Sequence, residues 1–150
     1  MTFKLSKRSR DNLFGVNPQL VLVVERAIQL TKVDFAVTEG VRTLAKQKEL
    51  VAKGASQTMD SKHLTGEAVD LVAFLGGRIS WELNLYDDIA DAMKVAAQEN
   101  GLALRWGAAW NIPDIRQWSG SMESAMQHYI DARRAAGRRP FIDAPHFEVA

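Results

Sequence analysis

Apolar positions recur along the chain with two different periods, and the switches between them lay out its elements. Leu20, Val24, Ala27 and Ile28 mark one helical face after Asn17-Pro18. Asn17 is the expected N-cap and Pro18 takes the first helical position, where its missing N–H costs nothing. Phe35 to Glu39 alternates, is rich in strand formers and stops at Gly40, which places Arg42 at a strand exit. Leu44 to Lys53 reads as a helix closed by Gly54. The polar stretch Ala55 to Lys62 then leads to His63, carried on a loop, and to a buried strand over Ala68 to Phe74. Gly76-Gly77 turns the chain into Arg78-Ile79-Ser80. A long helix follows from Leu83 or Asn84 to Glu99, with Ile89, Met93 and Ala96 facing the core and Asn100-Gly101 ending it. Leu102 to Trp106 is a strand and Pro113 to Ser119 a loop. Ser121 caps a last helix with Met122, Ala125, Met126, Tyr129 and Ile130 on its apolar face, ended by Gly137 and Pro140. Pro145 disfavours helix before it, so a closing strand starts at His146. This order predicts an α+β domain, a small mostly antiparallel sheet with helices packed on it.

Composition narrows the class without naming a function. A chain of 150 residues suits one compact domain over 1–150, with 47% hydrophobic and 25% charged residues as in ordinary globular proteins. There is no cysteine, so disulfides play no part. The net charge of +1 provides no field to draw in nucleic acid. Lys4, Lys7, Arg8 and Arg10 cluster early and Arg133, Arg134, Arg138 and Arg139 late. Both clusters read first as solvated faces, and second as contacts for an anionic surface. The opening residues lack the apolar core of a signal peptide, and the run Leu20 to Val24 is too short to span a bilayer. A monomer without stable membrane insertion is expected.

The chemistry concentrates in two short segments, Ser61-Lys62-His63-Leu64-Thr65-Gly66-Glu67-Ala68-Val69-Asp70 and Asp143-Ala144-Pro145-His146. In one regular strand His63 and Asp70 would lie about 23 Å apart and on opposite faces. The chain must therefore bend between them, and Gly66 is the residue that permits it. Alternation in His146-Phe147-Glu148-Val149 puts His146 and Glu148 on one face and Phe147 and Val149 on the other. Two imidazoles and a carboxylate with one position left free are the composition of a catalytic zinc site; structural zinc is usually closed by four ligands rich in cysteine. His128 has no partner at metal spacing and reads as structural or exposed.

The pattern Ser-x-His-x-x-Gly-x-Ala-x-Asp, followed much later by an acidic residue three before a histidine, resembles the zinc peptidases of the D-Ala-D-Ala carboxypeptidase and VanX/VanY group, peptidase family M15. Within that group the chain is most similar to phage endolysins that act as L-alanyl-D-glutamate peptidases. The similarity extends from Phe3 to Val149 and includes Thr38-Glu39-Gly40-Val41-Arg42-Thr43 and Trp106-Gly107-Ala108-Ala109-Trp110-Asn111. It implies a Hedgehog/D-Ala-D-Ala peptidase-like fold, one Zn2+ held by His63, Asp70 and His146, Asp143 as catalytic base, and Arg42 assisting the substrate carbonyl or carboxylate. The implied substrate is the bacterial peptidoglycan stem peptide, cut at its L-alanyl-D-glutamate bond. D-alanyl-D-alanine cleavage and a non-catalytic zinc-containing binding module are the alternatives. With no signal peptide and no wall-binding domain expected, the resemblance suits an enzyme made in a host cytoplasm and released to the wall through a separate pore.

Two departures from the family pattern stand out. Ala109 replaces a commonly acidic residue, and the base is Asp143 where the dipeptidase branch has Glu. The remaining candidates each have two readings. Ser61 either hydrogen-bonds near the site or is a loop-turn residue, and Gln47 is either a polar neighbour of the site or exposed. Trp106 and Trp110 either wall a substrate groove or fill the core. Glu148 either fixes the His146 tautomer or is a solvated strand-end charge.

Overall fold

The computed structural model describes residues 2–56 and 58–150. Five helices and five strands follow in the order α1 (Lys7–Asn12), α2 (Pro18–Leu30), β1 (Asp34–Glu39), α3 (Leu44–Ala52), β2 (Ala68–Leu75), β3 (Arg78–Ser80), α4 (Leu83–Asn100), β4 (Leu104–Trp106), α5 (Met122–Ala135) and β5 (His146–Val149). Asn17 accepts from the N–H groups of Gln19 and Leu20, and Pro18 opens α2 as its sequence predicts. Ser121 caps α5 by accepting from Ser124 N. No helix among the described residues is long and apolar enough to cross a membrane.

Four features differ from the sequence expectation. Helix α1 has no apolar stripe; its inward side is Ser9, which is buried and whose hydroxyl accepts from Val37 N at 3.0 Å, tying the helix to β1. His63 sits in a single 3-10 turn over Lys62–Thr65 rather than in an open loop. A second 3-10 turn, Ile115–Gln117, lies within the stretch expected to be irregular, capped by Asp114. β4 begins two residues later than expected, because Leu102 N is used by Ala97 O at 3.0 Å to finish α4.

The strand order is β1-β2-β5-β4, with β3 paired to β2, and every pairing is antiparallel. The long central β2 therefore shares one edge between β5, along its first half, and β3, along its second. Period-two alternation divides the sheet's faces. Phe35, Val37, Val69, Leu71, Leu104, Trp106 and Phe147 are buried in the core with the apolar sides of α2 and α4. Each such large side chain contributes roughly 1.5–3 kcal/mol on burial. Tyr86 of α4 joins helix to sheet, its hydroxyl donating to Ser80 O at 2.8 Å and accepting from Ala73 N at 3.2 Å. The opposite face carries Asp70, Arg105, His146 and Glu148, so the sheet separates an apolar side from a chemical side.

Candidate metal centre

Strand pairing alone brings two of the candidate groups together. Asp70 and His146 are direct cross-strand partners, and Ala68 and Glu148 are the next pair on the same face. Side chains at such positions are natural neighbours. His63 reaches the same point from the side. Ser61 Oγ accepts from His63 N at 3.2 Å to start the 3-10 turn, and Gly66 ends it at φ +77°, a left-handed conformation other residues rarely adopt. The bend expected at Gly66 is thus present. A Cβ there would also lie 2.6 Å from Gly15 O.

Hydrogen bonds to the outer ring nitrogens fix both imidazoles. His63 Nδ1 lies 2.7 Å from Gly40 O, and His146 Nε2 lies 2.8 Å from Glu148 Oε1. Each acceptor can only receive a proton, so the neutral rings carry hydrogen on those nitrogens and turn their lone pairs inward. Inward, His63 Nε2 lies 3.1 Å from Asp70 Oδ1 and 3.2 Å from His146 Nδ1. His146 Nδ1 lies 3.4 Å from Asp70 Oδ1. Three electron-pair donors face one point, and only a proton or a cation reconciles them. His63, Asp70 and His146 each offer one ligand atom, all within 4.8 Å of one another, a group that could hold a metal ion.

The titration of this cluster follows from the same crowding. Burial opposes ionisation of Asp70, but hydrogen bonds with His146 and His63 outweigh it and hold the carboxyl well below the usual carboxylate range. Burial likewise opposes the charged form of His146, yet Asp70 and Glu148 raise it to about 9. Glu148 is lowered, its burial outweighed by the bond to His146 and by Lys62. Asp143 behaves in the opposite way. Burial and then the negative charge of Asp70 push it up to about 6, against the pull of His146, His63 and Arg42.

Arg42 is gripped from one side. Its Nε and Nη2 donate to the two oxygens of Glu39 at 2.7 and 2.8 Å, and Nη1 donates to Gln47 Oε1 at 2.7 Å and Ser61 Oγ at 3.5 Å. Its Nη2 lies 3.7 Å from Asp70 Oδ2. Gln47 is fully buried and in turn donates to Ser56 Oγ and Thr58 O, so it is a polar neighbour of the site and not an exposed residue. Glu39 lies outside the candidate set read from the sequence. Its place could have been seen in Glu39-Gly40-Val41-Arg42, where three-residue spacing lets a carboxylate and a guanidinium pair.

A cavity of about 730 Å³ opens over the cluster, lined by Arg42, Ser61, Asp70, Trp110, Asp143, His146 and Glu148 among others. Trp110 lies with its ring centroid 5.4 Å from that of His146. Trp106 does not reach it. Alternation in β4 sends Trp106 into the core, fully buried against Phe147 with Nε1 donating to Ala144 O at 2.7 Å. Ala109 is also fully buried. His128 is exposed and packs beside Trp118, away from the cluster. Arg133, one of the arginines read as a solvated face, lines the cavity.

A sheet face that aims three electron-pair donors at one point under an open cavity has the build of a metallohydrolase. A family model described as phage L-alanyl-D-glutamate peptidase matches residues 1–150. The L-alanyl-D-glutamate peptidase of Escherichia phage T5 is 38% identical over 115 residues, covering 74% of this chain and 84% of that protein. The L-alanyl-D-glutamate peptidase of Listeria phage A118 is 34% identical over 79 residues, covering 53% of this chain but 27% of that protein. The crystal structure of Serratia marcescens L-Ala D-Glu endopeptidase ChiX matches with a TM-score of 0.73 at 36% identity, covering 99% of this chain and 90% of that one. The chain belongs to the phage L-alanyl-D-glutamate peptidase family.

Proposed function

We propose that the protein hydrolyses the L-alanyl-D-glutamate amide of bacterial cell-wall stem peptides, with one zinc ion held by His63, Asp70 and His146. The observation that carries this reading is the convergence of His63 Nε2, Asp70 Oδ1 and His146 Nδ1 within 4.8 Å, in a chain of this family. Neutral imidazole and carboxylate suit zinc, and the outer hydrogen bonds to Gly40 O and Glu148 hold both rings in the ligating tautomer. A zinc ion bound there supplies Lewis acidity, making water a stronger acid and polarising a carbonyl.

The remaining work falls to side chains. Asp143, raised to about 6, is ionised near neutral pH yet basic enough to take a proton from the attacking water and pass it to the departing amine. Arg42, held rigid by Glu39 and Gln47, is a fixed positive charge at the cavity wall that stabilises negative charge growing on the substrate oxygen. Trp110 walls the cavity beside His146. Synthesis in a host cytoplasm and release through a separate pore complete the proposal.

The test is to incubate purified cell wall with the protein and map the new termini. New D-glutamate amines are expected, abolished by chelation and restored by zinc. Release of free D-alanine without a new D-glutamate amine would reject the bond assigned here. Asp143→Ala is expected to keep its metal and lose turnover; unchanged turnover would reject the role of Asp143.

A further inference from the structure

Two arginines at the cavity form no ion pair within 4.0 Å among the described residues, although Arg105 lies close enough to Glu148 to help hold its carboxyl down. Arg26, Arg42 and Arg116 each form an ion pair with a carboxylate. Arg105 instead gives Nε, at 2.9 Å, and Nη2 to the carbonyl of Trp110. Arg133 gives Nε and Nη2 to the carbonyl of Arg139, at 3.2 and 3.0 Å. Both therefore spend one edge of the guanidinium on a main-chain oxygen. Neither makes an ion pair or a hydrogen bond from Nη1 among the described residues, and both line the cavity. Glu148 is the cross-strand partner of Arg105, but Lys62 is the cation within ion-pair reach of it, at 4.0 Å.

An aromatic wall braces Arg105 and runs on to the helix that carries Arg133. Arg105 lies 5.2 Å from the Trp110 ring centroid, in cation–π geometry. Trp110 stacks on Phe141 at 6.4 Å. Tyr129 clasps Phe141 from α5, its hydroxyl donating to Phe141 O at 3.2 Å and accepting from Phe141 N at 3.1 Å. Arg133 follows Tyr129 one turn later on that helix. A guanidinium braced on one edge and unpaired on the other is prepared for a carboxylate.

The substrate proposed above carries one. A D-glutamyl residue that continues the peptide through one of its carboxyl groups keeps the other as a free anion. We propose that Arg105 and Arg133 bind this free carboxylate of the D-glutamyl part of the substrate, and that they are positioning residues selecting a substrate charged at that point. This inference rests on the reaction proposed above.

The test compares two soluble peptides with the metal-loaded enzyme, L-Ala-γ-D-Glu-L-Lys and the same peptide with its free glutamyl carboxyl converted to carboxamide. The wild type is expected to prefer the carboxylate form by roughly 10- to 100-fold in kcat/KM, mostly through KM. Arg105→Gln and Arg133→Gln each lose about tenfold or more on the carboxylate peptide and little on the carboxamide, and Lys at either position restores part of the preference. Calorimetric binding of the product γ-D-Glu-L-Lys to the same proteins should follow the same order. Equal losses on both peptides would mean that the arginines act only through the fold or through Glu148, and overturn the proposal. A wild type that cleaves both peptides equally overturns the carboxylate pocket alone. A wild type that cleaves neither overturns the reaction, and the pocket with it.

Discussion

Replacing Gly107 by alanine perturbs the site through space alone. Gly107 O accepts from Asp143 N at 2.8 Å and Gly107 N donates to His146 O at 2.8 Å, so this residue spaces the Asp143 segment from β4. An added Cβ would stand 2.2 Å from Asp143 O and 3.0 Å from His146 Cβ, where ordinary contact begins at 3.4 Å. Asp143 must retreat by about 1 Å, and for the base proposed above such a displacement costs on the order of 100-fold in rate, about 2.7 kcal/mol. Overpacking costs about 1–3 kcal/mol of stability, which a domain with a usual margin survives folded. Turnover on a soluble L-Ala-D-Glu peptide, measured with metal content and Tm, checks both numbers. Gly101→Ala is the control: at φ +66° with nothing within 4 Å of its Cβ, it should cost roughly 1–2 kcal/mol of stability and leave turnover intact. A folded, metal-loaded Gly107→Ala protein turning over within about threefold of the parent would refute the spacing argument.

Three further outcomes are expected. Glu148→Ala removes the carboxylate that accepts from His146 Nε2 and should weaken metal binding by roughly 10- to 100-fold in chelator competition; unchanged affinity would show that the ring needs no such support. As the base proposed above, Asp143 must be ionised, so kcat/KM should rise with pH through about 6, with a bound cation moving that limb lower; a limb that survives in the residual activity of Asp143→Asn belongs to another group. Asp87 is buried with Oδ1 unpartnered among the described residues, and burial followed by Glu123, Asp91 and Asp88 raises it to about 6. Its folded pKa exceeds the unfolded value, so its contribution is lost as pH rises through about 6. After allowance for solvent screening, Asp87→Asn should stabilise by about 1 kcal/mol at pH 8, roughly 3 °C in Tm, with no gain at pH 4. A gain equal at both pH values would reject ionisation as its cause.

What the sequence made legible was local. Asn17-Pro18, Ser121 and Gly101 mark helix ends through the backbone groups they satisfy, and alternation in β5 already separates His146 and Glu148 from Phe147 and Val149. What it hid depends on contacts across the fold. Helix α1 has six residues and no apolar stripe, and what docks it is a hydroxyl bonded to a strand 28 residues later. Gln47 looks like any exposed helical amide until the Arg42 guanidinium, Ser56 Oγ and Thr58 O are seen to engage it. The fate of Trp106 was within reach: Leu104-Arg105-Trp106 alternates, so if Leu104 and Trp106 point inward, Arg105 must face the cavity. The same three residues thus pointed to a cation at the site.

The strand that supplies His146 is the last of the five, yet it fills the slot between β2 and β4. His63 precedes its partner imidazole by 83 positions, so a growing polypeptide exposes two of the three donors long before the third exists. Without β5 in that gap the sheet is split and the donor set is incomplete. The three donors therefore come together only where the chain's last described strand is inserted between β2 and β4.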